Sequence, residues 1–361
     1  MKLLILTQKV DKNDDILGFF HGWIAEFAKH CEKITVIALG VGEHDLPRNV
    51  KVLSLGKDKN TSSLRAIAKQ SSKQEYIANF YKYIWQERNN YDNVFVHMNP
   101  EYVVLGGFLW RLWGKKIGLW YMHKSVDLKL RLAEKLTHII FSATSESFRL
   151  ETKKLNITGH GIDVNRFNKK EDNLKKDIFS IITIGRISPI KDYDTLINSI
   201  KFLREKGLKI KLDIIGGVGK PDQKKYLENL KQKVKDYGLE NNISFIGSVP
   251  NKEIVDYLHR ADLFVNTSQT GSLDKAILEA MSCGLLVLSS NDSSKNVFAE
   301  YSEKLFFKPK SVNDLSNKIE NIIRLSEEDK IKIGKRLRNI VVNDHNLENL
   351  IKKIIRLYQK I

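Results

Sequence analysis

The stretch from Asp262 to Asn291 limits the possible folds more than any other part of the chain. Leu263-Phe264-Val265-Asn266 is a short, mainly apolar run closed by Thr267 and Ser268, the pattern of a buried parallel strand. Gln269 to Leu273, around Gly271, is a turn. Asp274 to Cys283 contains no helix breaker and is rich in Ala, Leu, Ile, Met and Glu, so it predicts a helix, with Gly284 as the left-handed residue that closes it. Leu285 to Leu288 predicts a second buried strand. In open parallel sheets, ligands bind where strand carboxyl ends meet helix amino ends. Gly271, Ser272, Leu273, Asp274 and Lys275 fall at that place. On the helix itself, Ala276, Ile277, Leu278, Ala280 and Met281 cover an apolar arc, and Lys275, Glu279 and Ser282 share the remaining face. By spacing alone, Lys275 and Glu279 are either a solvated i,i+4 pair or part of a site.

The same alternation runs along all 361 residues, a length that implies two domains. In the first half, strands are predicted at Leu3–Leu6, Ile34–Leu39, Val50–Leu55, Val94–Val96, Ile117–Tyr121 and Ile139–Ala143. Helices are predicted at Phe19–His30, from a Thr61 cap to about Asn89, and from near Glu146. The charged stretch Asn168–Asp177 reads as a linker. In the second half, strands are predicted at Phe179–Ile184, Leu212–Ile215, Ile243–Ile246 and Lys304–Phe307. Helices begin near Tyr193 and span Tyr226–Tyr237, Glu253–Arg260, Val312–Leu325 and Asp329–Val342, and a basic amphipathic helix spans Leu347–Ile361. The fold class is therefore α/β, with doubly wound parallel sheets. The expected domains are 1–165, 166–342, and a terminal helix at 343–361 packing back on the first. No GxGxxG follows the first strand, which argues against a dinucleotide site there.

The net charge of +17 is spread over both halves rather than gathered in a tail. It fits affinity for acidic lipid or a compositional bias of the genome. No zinc spacing, recognition helix or aromatic RNA motif supports nucleic acid as a partner. Tyr102 to Lys124 interleaves Phe108, Trp110, Trp113 and Trp120 with Arg111, Lys115 and Lys116. This suits either a helix lying on lipid or a core-facing helix with a basic last turn. No apolar run approaches the ~20 residues of a membrane span, and the opening run is too short for a signal peptide. Cys31 and Cys283 lack ligand spacing and read as reduced, buried thiols of a cytosolic protein. The expectation is a cytoplasmic protein, at most peripheral at the inner face of the membrane.

Candidate chemistry gathers at Gly185 to Ile197, GRISPIKDYDTLI. Gly185 permits close backbone approach at a strand end. Arg186 offers a forked contact and Lys191 a point charge, which together suit a diphosphate. His97 and His123 each follow a strand end, and each is either a structural hydrogen-bonding residue or a catalytic one. Lys124 and Ser125 extend a polar loop beyond His123.

Four blocks together resemble a GT-B-fold glycosyltransferase of family 4, the retaining group that uses nucleotide-sugar donors. They are GRISPIK, IIGGVG with the later ISFIGSVP, HGIDVNRF, and LDKAILEAMSCGLLVL. The resemblance is strong from Thr158 to about Ile322. In the first half it rests on strand order and His123. It implies two Rossmann-like domains facing each other across a cleft, with closure on donor binding. It implies that Arg186 and Lys191 hold the donor diphosphate, that Glu279 accepts from the ribose hydroxyls, and that His123 approaches the donor sugar. Gly18 matches the glycine-bearing loop after the first strand. The family's first glutamate of E-x7-E would stand at Gly271, where it is absent. The resemblance then leaves donor-sugar contact to Asp274 or to the backbone amides of Gly271 to Lys275. It further implies a glycan or lipid-linked acceptor in cell-envelope polysaccharide synthesis, with an anionic membrane surface as a further partner. No cofactor or metal is expected, because no DxD is placed for one. Asp11, Asp14 and Asp15 read as solvated or acceptor-side residues. A nucleotide-sugar epimerase of the same fold and a non-catalytic basic surface-binding module are the alternatives.

Overall fold

A computed structural model describes residues 1–57, 73–168, 177–219, 221–269 and 272–361. Two compact units form. One comprises Met1–Gly161, Pro250–Lys252 and Leu347–Ile361, and the other Ile162–Val249 and Glu253–Asn346.

The first unit begins β1 (Lys2–Val10), α1 (Gly18–Ala28), β2 (Lys33–Val41), β3 (Val50–Ser54), α2 (Lys73–Gln86) and β4 (Asn93–His97). It continues α3 (Pro100–Leu112), β5 (Lys116–Trp120), α4 (Leu128–Leu136), β6 (Ile139–Ser142) and β7 (Leu155–Ile157). The strands form one sheet in the order β3-β2-β1-β4-β5-β6-β7, every pair parallel. Alternation along β1 sorts the core into two layers. Leu3 and Ile5 join the core beneath α1, and Leu4 and Leu6 join the one beneath α2, α3 and α4.

The second unit contains β8 (Phe179–Ile184), α5 (Tyr193–Glu205), β9 (Ile210–Ile215), α6 (Pro221–Asp236), β10 (Ile243–Gly247), α7 (Ile254–Arg260) and β11 (Leu263–Asn266). It ends with α8 (Lys275–Ser282), β12 (Leu286–Ser289), α9 (Ser293–Phe298), α10 (Ser302–Leu305), α11 (Val312–Arg324) and α12 (Glu327–Asp344). Its sheet runs β10-β9-β8-β11-β12, again all parallel. The last helix, α13 (Leu347–Gln359), belongs to the first unit. There Leu350, Ile351, Ile354 and Tyr358 complete the core layer under α1.

Several expectations change. The helix near Glu146 is only a 3-10 turn, Ser145–Ser147, and a short strand, β7, follows it. Lys304–Phe307 is not a strand. Leu305 ends a helical turn, and Phe306 makes a single parallel bridge to Ser289. Pro309, which has no N–H to donate, stands just beyond it. The first strand runs on to Val10, because Lys9 and Val10 find partners in Gly40 and Val41 of β2. His97 lies inside β4, stacked on Phe20 at 3.9 Å and within 3.3 Å of the Thr7 hydroxyl, which makes it a structural histidine. The Thr61 cap, much of the 168–177 linker and Gly271 fall outside the described residues. Trp110 and Trp120 are buried, so that part of the aromatic–basic stretch serves the core. Both cysteines are buried and free.

Candidate active site

The strand order of the second unit decides where its functional loops meet. The chain leaves β8 toward β9 on one side and β11 toward β12 on the other, so the carboxyl ends of these two neighbours frame a topological switch point. The loops after them interlock. The Thr267 hydroxyl donates to the Lys191 carbonyl at 2.5 Å, and the Gln269 amide donates to Ile190 at 3.3 Å. Gly185 and Gly216 let the loop after β8 lie close against the end of β9. A Cβ at Gly216 would stand 1.9 Å from the Gly185 carbonyl oxygen. The buried Tyr193 hydroxyl fixes that same carbonyl at 2.8 Å.

Lys191 and Asp274 form the centre. The Lys191 ammonium donates to Asp274 Oδ2 at 2.7 Å and to the Ser268 hydroxyl at 3.3 Å. Asn266, buried at the end of β11, donates to the same Oδ2 at 2.9 Å. Asp274 Oδ1 has no hydrogen-bond partner among the described residues. About a fifth of each side chain of the pair is exposed (18% for Lys191, 19% for Asp274). Asp274 occupies the cap position of α8, yet its carboxylate takes no cap bond and turns to Lys191 and Asn266 instead. Arg186 is exposed, and its guanidinium has no bond or ion pair among the described residues. Ser272 is held through its carbonyl by Asn291 at 2.6 Å, and the Leu273 side chain is buried in the core.

One turn into α8, a second charge cluster follows. Glu279 is buried, and its Oε1 has no hydrogen-bond partner among the described residues; the Lys275 ammonium stands 3.9 Å away. The pair is therefore not the solvated i,i+4 contact that spacing permits. Burial pulls the Lys275 ammonium down to about 8, with Glu279 opposing the fall and Arg166 adding to it. Because 24% of that side chain is exposed, water moderates the effect. Burial also lowers the Arg166 guanidinium, against the fields of Glu279 and Asp163. The block around Arg166 is anchored to the far end of α8. Arg338 donates to the carbonyls of Phe167 and Ser282, and the Ser282 hydroxyl donates to Phe167 at 2.6 Å.

The second unit thus assembles Gly185, Arg186, Lys191, Ser272, Leu273, Asp274, Lys275 and Glu279. His123 and Gly18 belong to the first unit. His123 is exposed, 5.6 Å from the Tyr121 ring, and Gly18 opens α1 with its amide on the Asp14 carbonyl. Sequence reasoning missed Asn266, Ser268 and Arg166. Asn266 carried a usable signal, being a polar residue closing a buried strand at the switch point. Among the described residues, no group of three His, Cys, Asp or Glu side chains is placed to hold a metal. None of the described helices is long and apolar enough to cross a membrane.

The model of the family described as glycosyl transferases group 1 matches residues 164–358. Mannosylfructose-phosphate synthase of Agrobacterium fabrum is 30% identical over 149 residues, 38% of this chain and 33% of that protein. The amylovoran biosynthesis glycosyltransferase AmsK of Erwinia amylovora is 30% identical over 147 residues, 39% of this chain and 35% of that protein. The chain thus spans about a third of the length of each. Among solved structures, Anabaena HepE in complex with UDP and glucose superposes with a TM-score of 0.73 over the whole of both chains, at 17% identity. The paired parallel sheets share the GT-B fold of such structures, and the family model covers more than half of the sequence; this chain belongs to the group 1 glycosyl transferases.

Proposed function

We propose that this protein transfers a sugar from a nucleotide-sugar donor to a glycan or lipid-linked acceptor, with retention at the anomeric carbon, in cell-envelope polysaccharide synthesis. The observation that carries this reading is the switch-point cluster at the ends of β8 and β11, in which Lys191 is held by Asp274, and the Arg186 guanidinium and Asp274 Oδ1 have no partner among the described residues. The family and the biosynthetic role named for AmsK support it, as does the nucleotide and sugar bound to HepE.

In this reading the bond between the anomeric carbon and the diphosphate oxygen breaks, and its electron pair leaves with the nucleoside diphosphate. Arg186 and Lys191 stabilise the charge that grows there. The acceptor hydroxyl bonds to the same face of the sugar, and its proton passes to the departing diphosphate. Asp274 Oδ1 accepts from a donor-sugar hydroxyl, and Glu279 accepts from the ribose hydroxyls beside Lys275. His123 attends the donor sugar and Gly18 the phosphate and acceptor. Because two cations serve the leaving group, the reaction proceeds without a metal, and EDTA leaves the rate unchanged. The protein works in the cytoplasm, at the inner face of the membrane.

A thermal-shift panel of UDP-, GDP-, ADP- and CMP-sugars tests the reading. One donor series should raise the melting temperature of the wild type, and Glu279→Gln should lose most of that rise. No response to any nucleotide would overturn it. Release of an altered free sugar nucleotide without acceptor would point to an epimerase instead.

A further inference from the structure

We propose that the outer faces of α2, α3 and α4 form a docking surface for an anionic lipid bilayer. The inner faces of these helices are committed to the core through Phe80 and Ile84, Val103 and Trp110, and Leu130 and Ala133. Their outer faces carry seven of the fourteen large apolar side chains exposed among the described residues. Single exposed apolar residues are ordinary, but this concentration on three neighbouring helices is not. On α2, Ile77, Tyr81 and Trp85 recur every fourth residue. Phe108 and Leu112 do the same on α3, exposed at 71% and 70%, and Leu128 and Leu132 on α4, at 71% and 42%.

The surface is continuous. The Tyr81 hydroxyl donates to Leu105 of α3 at 3.1 Å, and the Trp85 ring meets Trp113 at 5.7 Å. Lys129 of α4 pairs with Glu101 of α3 at 2.8 Å, and Arg111 of α3 donates to Leu136 of α4 at 2.8 Å.

Its charge selects the partner. Lys82, Arg131 and Lys135 lie exposed on these helices, and the Arg88 guanidinium stands 4.8 Å over the Trp85 ring. Among the carboxylates of these helices, Glu101 is paired with Lys129 and Glu134 with Lys154, and Glu75 lies exposed in the first turn of α2, so cations outnumber carboxylates on this surface. Aromatic rings beside cations suit the headgroup boundary, where rings enter the acyl edge and long basic side chains reach anionic headgroups. Two copies of this face would bring like charges together, which disfavours self-association. The surface gives the proposed lipid-linked acceptor a place to be met, but its test does not depend on catalysis.

The test is flotation of the full chain with vesicles of phosphatidylcholine alone and of phosphatidylcholine with phosphatidylglycerol. The wild type should float with the anionic vesicles only, and less so in high salt. Phe108→Ser with Leu112→Ser should lower the floated fraction about tenfold, since both apolar insertions are lost, at an unchanged melting temperature. Leu128→Ser with Leu132→Ser repeats the test on another helix. The proposal fails if the wild type ignores anionic vesicles or if both double variants float like it. It also fails if the substitutions instead convert a dimer into a monomer in sedimentation. A positive nucleotide shift alongside failed flotation would remove this surface and leave the transferase reading standing.

Discussion

Replacing Asp274 with alanine should move stability and nucleotide affinity in opposite directions. Asp274 Oδ2 accepts from both Lys191 and Asn266. Asn266 is 3% exposed, so losing its acceptor strands a buried amide donor, at about 1–3 kcal/mol. Lys191 retains the Ser268 hydroxyl and some water, so its loss is smaller than the ~3–5 kcal/mol of a fully buried broken pair. A net loss of about 2–3 kcal/mol should lower the melting temperature of a domain this size by roughly 5–10 °C.

A bound diphosphate feels the opposite effect. A phosphate oxygen that reaches the Lys191 ammonium comes within about 5 Å of the carboxylate, where two like charges repel by ~3 kcal/mol at an effective dielectric of ~20. Partial exposure reduces this to about 1 kcal/mol, a roughly fivefold tightening of bare nucleoside diphosphate in Asp274→Ala. Turnover should fall, because the oxygen assigned to the sugar hydroxyl is gone. A charge-assisted bond of about 1.5–3 kcal/mol corresponds to roughly 10–150-fold in kcat/KM. Calorimetric titration of UDP and GDP, thermal unfolding and initial rates measure the three quantities. Asp274→Asn removes the charge but keeps an acceptor oxygen, so it should tighten nucleotide binding with a smaller thermal loss. If nucleotide affinity falls together with turnover in both variants, the account of Asp274 as a counterion shared between lysine and sugar is wrong.

Arg186→Ala removes an exposed guanidinium with no protein partner among the described residues, so the melting temperature should hold while nucleotide affinity drops roughly tenfold or more; an equal loss of stability would contradict the site's geometry. Lys275 is depressed from 10.5 to about 8, so between those values the unfolded chain binds more protons than the folded one, and this group's contribution to stability rises with pH. Melting curves from pH 7 to 10 should show that rise in the wild type relative to Lys275→Met, with no difference in slope counting against burial of the ammonium.

The alternation of apolar runs and helices made both sheets legible, because a parallel strand covered on both faces leaves a near-continuous apolar signature. What escaped were elements too short to carry a period. β7 is three residues, and the turn at Ser145–Ser147 is another three. Lys304–Phe307 misled because an apolar run does not reveal whether a neighbouring strand is available for more than one bridge. In the site, the order of residues in GRISPIK and LDKAILE placed Lys191 and Asp274 at strand ends, but their contact spans 83 positions and depends on β8 and β11 being neighbours. Spacing also put Lys275 and Glu279 on one helix face without saying which way that face turns; burial of Glu279 settled it.

Asp274 shows how a local rule can hide a site. An aspartate directly before a helix is ordinarily an N-cap, worth about 1 kcal/mol to the helix. Here the carboxylate gives up that bond and is held by Lys191 and Asn266, so α8 begins without a side-chain cap. Helix formation alone does not explain this, since the capped rotamer would serve α8 better. The exchange is intelligible if the cap position is needed for something else: a carboxylate fixed through one oxygen beside a cation, with the other oxygen unpartnered among the described residues. In the proposed donor complex, an α8 end without a side-chain cap would add its positive dipole to the charges of Arg186 and Lys191.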